Sequence, residues 1–74
     1  MAEILGETVA VRVNGESKLV PPGLTIAGLL LEIGINPQKV AVERNLEIVA
    51  RSTLDSVEVE NGDSFEIVHF VGGG

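Results

Sequence analysis

The apolar residues change their spacing twice along the chain, and that switch limits the folds open to it. In residues 7–20, ETVAVRVNGESKLV, Val9, Val11 and Val13 alternate with Thr8, Ala10 and Arg12. This is the two-residue period of a strand with one buried face. Asn14 and Gly15 come next, and both tolerate the positive φ of a two-residue hairpin turn, so Glu16 to Val20 reads as the return strand. In residues 24–35, LTIAGLLLEIGI, the spacing becomes helical: Ile26, Leu29, Leu30 and Ile33 lie at i, i+3, i+4 and i+7. Thr25 is placed to accept from an unpaired amide as N-cap, and Gly34 to end the helix in a left-handed conformation. From residue 40 the two-residue period returns. One helix with one apolar stripe must cover one face of a sheet, which makes the chain α+β.

The punctuation fits this order. PPG at 21–23 ends the hairpin, because proline cannot donate to a sheet ladder. Gly28 inside the helix costs about 1 kcal/mol against alanine, and close packing against the sheet is the expected reason. NPQK leads out of the helix. VAVERN at 40–45 is a strand with Val40 and Val42 inward, and LEIVA at 46–50 a short further strand. A tight turn is expected near Asn45, although Leu46 stands where a glycine is the usual choice. RSTLDSVEV reads as one helical turn near Ser52 to Asp55, and ENGD at 60–63 as a turn. SFEIVHFV at 64–71 is the last strand, with Phe65, Ile67, His69 and Val71 on one side and Glu66, Val68 and Phe70 on the other. The expected division is one domain over residues 1–71 and a flexible glycine tail over 72–74.

Charge and composition exclude several functions. Eleven acidic residues against five basic ones give a net charge of −6, which argues against nucleic acid and suits either a partner with a basic docking surface or, more plainly, the solubility of a small domain. The absence of cysteine excludes disulfides, cysteine zinc sites and a thiol nucleophile, and fits a reducing compartment. No apolar run is long enough for a membrane span, and the N-terminus lacks the pattern of a signal peptide. These features lead to the expectation of a cytoplasmic protein, monomeric when free. His69 has no cysteine to pair with, and the carboxylates lack the spacing of a metal loop, so neither a metal site nor an enzyme is expected.

The chemistry is expected at the end of the chain, HFVGGG. Val68, Phe70 and Val71 beside the tail suggest a docking patch, against the plainer reading of scattered surface hydrophobes. Gly72, Gly73 and Gly74 have no Cβ and can thread a channel too narrow for side chains. The Gly74 carboxylate would then be presented unhindered to another protein's active site. A carboxylate is a poor electrophile and needs activation, for example as an acyl-adenylate made with ATP bound by a partner. The plainer alternative is a frayed terminus.

Taken in order, the elements match the β-grasp, or ubiquitin-like, fold, in which the first and last strands lie parallel at the centre of a mixed sheet with the helix on one face. VRVNGE, TIAGLLLEIGI, VAVERNLEIVARS and NGDSFEIVHFVGGG together resemble the sulfur carriers of thiamine biosynthesis, the ThiS family. The likeness covers about Val9 to Gly74. It implies that Gly74 is adenylated by an E1-like enzyme and converted to a thiocarboxylate by a persulfide donor. The sulfur then passes to thiazole synthase. It implies a protein co-substrate that binds no cofactor, with ATP used by the activating partner. The Val68 and Phe70 face would correspond to the family's docking surface for those enzymes. Alternatives are the small subunit of molybdopterin synthase, carriers for cysteine synthesis or transfer-RNA thiolation, ubiquitin-like conjugation to lysines, and a β-grasp interaction module without tail chemistry.

Overall fold

The computed structural model describes residues 7–70. Val71 and the tail Gly72 to Gly74 lie outside the described residues. The strands are β1 (Val9–Val13), β2 (Glu16–Val20), β3 (Val40–Arg44), β4 (Glu47–Ile48) and β5 (Ser64–His69), with one helix, α1 (Ile26–Glu32). Two single 3-10 turns, Pro37–Lys39 and Arg51–Thr53, connect them. The sheet order is β2-β1-β5-β3-β4. β1 pairs in parallel with β5, while β1 with β2, β3 with β5 and β3 with β4 are antiparallel. A mixed five-stranded sheet with its first and last strands adjacent and a helix on one face is the β-grasp architecture.

α1 is short, and its ends are closed by side chain and backbone. The Thr25 hydroxyl accepts from the Gly28 amide at 3.0 Å. At the other end Gly34 takes φ +87°, the Ile35 amide donates to Leu30 O at 2.8 Å and the Gly34 amide to Leu31 O at 3.0 Å. That pair of bonds is a Schellman cap, which satisfies two carbonyls the helix leaves open. The apolar stripe does the rest: Ile26, Leu29 and Leu30 are fully buried against Val11, Val13, Val40, Val42, Phe65 and Ile67. Full burial of one such side chain contributes about 1.5–3 kcal/mol, so the sheet and not intrinsic propensity holds a seven-residue helix together.

The structure corrects several boundaries. The space above Gly28 is filled by its own neighbours and not by the sheet: a Cβ there would lie 2.9 Å from Leu24 Cδ1 and 3.3 Å from Thr25 Oγ1. β4 is two residues rather than the five of LEIVA, because the chain leaves the sheet edge at Ala50 to start the Arg51–Thr53 turn. Pairing outlasts it by one bond, from the Val49 amide to Val42 O at 2.9 Å. β5 ends at His69, although the Phe70 amide still donates to Lys39 O at 3.0 Å. His69 alternates with the buried Phe65 and Ile67 but is itself exposed. Among the described residues no helix is long and apolar enough to cross a membrane.

Candidate functional site

The candidate site is the solvent face of β5 up to Phe70, the last described residue. Two asparagines bond to β5, and a third ties the turn before it to β1. Where β1 turns away into its hairpin, the Asn14 side chain takes over the ladder. Its Oδ1 accepts from the Ile67 amide at 2.7 Å and its Nδ2 donates to Ile67 O at 3.3 Å. Asn61 Oδ1 accepts from the Ala10 amide at 2.9 Å before β5 begins. Asn45 Oδ1 accepts from the Ser64 amide at 2.9 Å, while its own amide donates to Ser64 O at 2.8 Å. Each asparagine satisfies a backbone group that the adjoining strand cannot reach.

Asp63 joins these elements at the start of β5. It is the one buried charged side chain among the described residues. Its Oδ2 accepts from Arg44 Nε at 2.9 Å and from the Glu60 amide at 2.8 Å, and lies 2.8 Å from Arg44 Nη2. Its Oδ1 accepts from Asn45 Nδ2 at 3.1 Å. Burial raises the carboxyl pKa. The Glu60 amide, the Arg44 and Asn45 hydrogen bonds and the Arg44 charge outweigh that, and Asp63 is held below its ordinary value. A turn, two strands and a carboxylate are thus locked together, and this lock sets the register of β3 on β5.

That register decides what the solvent face shows. Val68 lies opposite Ala41, Glu66 opposite Glu43, and Glu43 is flanked on its other side by Ile48. All are exposed; Val68 is 62% and Phe70 57% accessible, so both expected docking residues point to solvent. Phe70 is not loose. The Arg51 guanidinium sits 5.2 Å from its ring centroid and donates to Pro37 O at 3.0 Å and Val40 O at 3.1 Å. The cation is fixed by two carbonyls and the ring stacks on it. Arg51 lies inside VAVERNLEIVARS, but nothing in that stretch marks its contact with Phe70. Val71, Gly72, Gly73 and Gly74, the other expected site residues, lie outside the described residues. Among the described residues no three His, Asp or Glu side chains gather as metal ligands. The face offers an apolar strip, a fixed aromatic ring and a defined strand direction. That combination suits docking a protein surface.

Comparison with known proteins adds to this geometry. The ThiS family pattern matches residues 11–74. A thiazole synthase of Paramagnetospirillum magneticum is 50% identical over 62 residues, which make up 84% of this chain and 19% of that protein. This chain therefore spans about a fifth of that relative's length. The sulfur carrier protein ThiS of Bacillus subtilis is 46% identical over 50 residues, covering 68% of this chain and 76% of that protein. Among solved structures, the thiamine biosynthesis protein (ThiS) of Geobacter metallireducens superimposes with a TM-score of 0.73 at 32% identity, over 89% of this chain and 100% of that one.

Proposed function

We propose a function from one premise: the chain belongs to the ThiS family. It acts as a sulfur carrier for thiamine biosynthesis, a protein co-substrate and not a catalyst. The carboxylate of Gly74 attacks the α-phosphate of ATP in an E1-like enzyme, giving an acyl-adenylate and releasing pyrophosphate. The terminal sulfur of a protein persulfide displaces AMP. Cleavage of the resulting acyl disulfide by a thiol leaves a thiocarboxylate on Gly74. That sulfur passes to thiazole synthase. ATP is bound by the activating enzyme and not by this chain.

The observation that carries the reading is the ThiS match, which runs through Gly72, Gly73 and Gly74. Glycines there have no side chain to obstruct a narrow channel. The thiazole synthase partnership is supported by the relative of that name, which includes a stretch half identical to this chain within one polypeptide. Val68 and Phe70 supply the docking strip, with the ring of Phe70 steadied by Arg51 at the root of the tail. Such a carrier works in the cytoplasm and is monomeric between encounters.

Removing Gly74 alone tests this. The truncated chain is expected to unfold at the same temperature as the full chain, and to support no sulfur transfer in a reconstituted assay with activating enzyme, persulfide donor and thiazole synthase. Undiminished transfer by the truncated chain would refute the assignment of the chemistry to Gly74.

A further inference from the structure

We propose that the solvent face of β5 docks a protein surface bearing a lysine or arginine set among apolar side chains, and that Glu43 and Glu66 together receive that cation. This rests on the sulfur-carrier reading and names the chemistry of the partner's docking surface.

Glu43 and Glu66 are directly opposed in the β3–β5 register and both are exposed. Opposed residues of an antiparallel pair hold their Cβ atoms about 4.5–5.5 Å apart, and like charges there destabilise the sheet. Among the described residues neither glutamate is in an ion pair, whereas Lys18 pairs with Glu16 and Arg44 with Asp63. The fold therefore keeps a repulsive pair in the middle of its solvent face. A single cation between the two carboxylates turns that repulsion into attraction.

The surroundings favour a protein cation over a solvated one. Ala41 and Val68 form the next outward-facing pair along the sheet, and Ile48, 82% exposed, stands across from Glu43. A partner that covers these apolar side chains also removes water from the carboxylates, where the attraction to a matched cation strengthens and an unmatched partner is penalised. The pair also fixes position along the strand. β5 advances about 3.3 Å per residue, so the cation is anchored roughly 13 Å before Phe70, and a slip of one pair would set it against Val68. Glu43 and Glu66 thereby set the register in which the tail is delivered. The net charge of −6 steers such a basic surface to the chain from a distance.

The test measures binding of the full chain and of E43Q/E66Q to the thiamine-type activating enzyme and to thiazole synthase, across a series of salt concentrations. The double variant is expected to bind at least one enzyme about tenfold more weakly at low salt, with a flatter salt dependence that meets the wild-type curve at high salt. E43K/E66K is expected to bind more weakly still. Thermal unfolding of E43Q/E66Q should be unchanged or raised, which separates lost docking from lost fold. Wild type binding while E43Q/E66Q keeps the same affinity and salt slope for both enzymes overturns this inference alone. Wild type binding neither enzyme overturns it together with the sulfur-carrier reading.

Discussion

Replacing Leu46 by glycine should stabilise the protein, although it deletes a large apolar side chain. Asn45 and Leu46 hold φ of 51° and 73°, both in the left-handed region, as Asn14 and Gly15 do in the other hairpin at 51° and 84°. The turns are alike, but one of them forces a leucine into a conformation that costs an L-residue about 1–2 kcal/mol. Leu46 is 87% exposed, so its deletion forfeits almost no burial. Against the relief stands the greater freedom of glycine in the unfolded chain, about 0.5–1 kcal/mol. The difference leaves a gain of about 0.5–1 kcal/mol, and a domain of this size moves by about 4–8 °C per kcal/mol, so Tm should rise by about 4 °C. Thermal unfolding followed by circular dichroism at neutral pH reads this directly. The mirror experiment is Gly15→Ala, where nothing lies within 4 Å of the added Cβ and the loss is conformational only. An unchanged or lower Tm for Leu46→Gly would refute the assignment of strain to that turn, most sharply if Gly15→Ala were also neutral.

The contacts around β5 and α1 set other outcomes. Asp63→Asn should cost about 1–3 kcal/mol in urea unfolding, because Arg44 loses its counter-charge and the Glu60 amide a charged acceptor. The folded pKa of Asp63 lies below its ordinary 3.8, so its contribution is present above that pH and is lost as pH falls through the folded value. Acid titration of stability should therefore be shallower for Asp63→Asn than for wild type below about pH 4. Asn14→Gly keeps the positive φ but removes both bonds to Ile67, and should cost about 1–3 kcal/mol with faster hydrogen exchange at the Ile67 amide. Gly28→Ala should fall short of the roughly 1 kcal/mol helix gain, since the new methyl meets Leu24 at 2.9 Å.

The features legible in the sequence and those hidden from it divide along sequence separation. The Asn14–Gly15 hairpin, the Thr25 cap, the Ile26, Leu29, Leu30 stripe and Gly34 are each set by residues a few positions apart, and local chemistry suffices to read them. Alternation alone gives the outward direction of Val68 and Phe70. The opposition of Glu43 and Glu66 needs the β3–β5 register, which no local pattern supplies. Asp63 is legible only as part of a turn, because Arg44 and Asn45 reach it from 19 and 18 residues away. The sheet is the wrong neighbour to expect for Gly28, since its true neighbour, Leu24, lies just outside the helix. LEIVA reads as longer than β4 because its strand propensity continues past the point where the Arg51 turn draws the chain from the edge. Arg51 beneath Phe70 is a tertiary contact that neither residue announces.

Intact-protein mass spectrometry decides whether Gly74 carries sulfur. The chain would be incubated with ATP, a persulfide sulfur source and the thiamine-type activating enzyme. The expected result is a mass gain equal to one oxygen replaced by sulfur, mapped by fragmentation to Gly74 and absent without ATP. No gain with that enzyme, or a gain that maps to any other residue, would rule out sulfur carriage on Gly74.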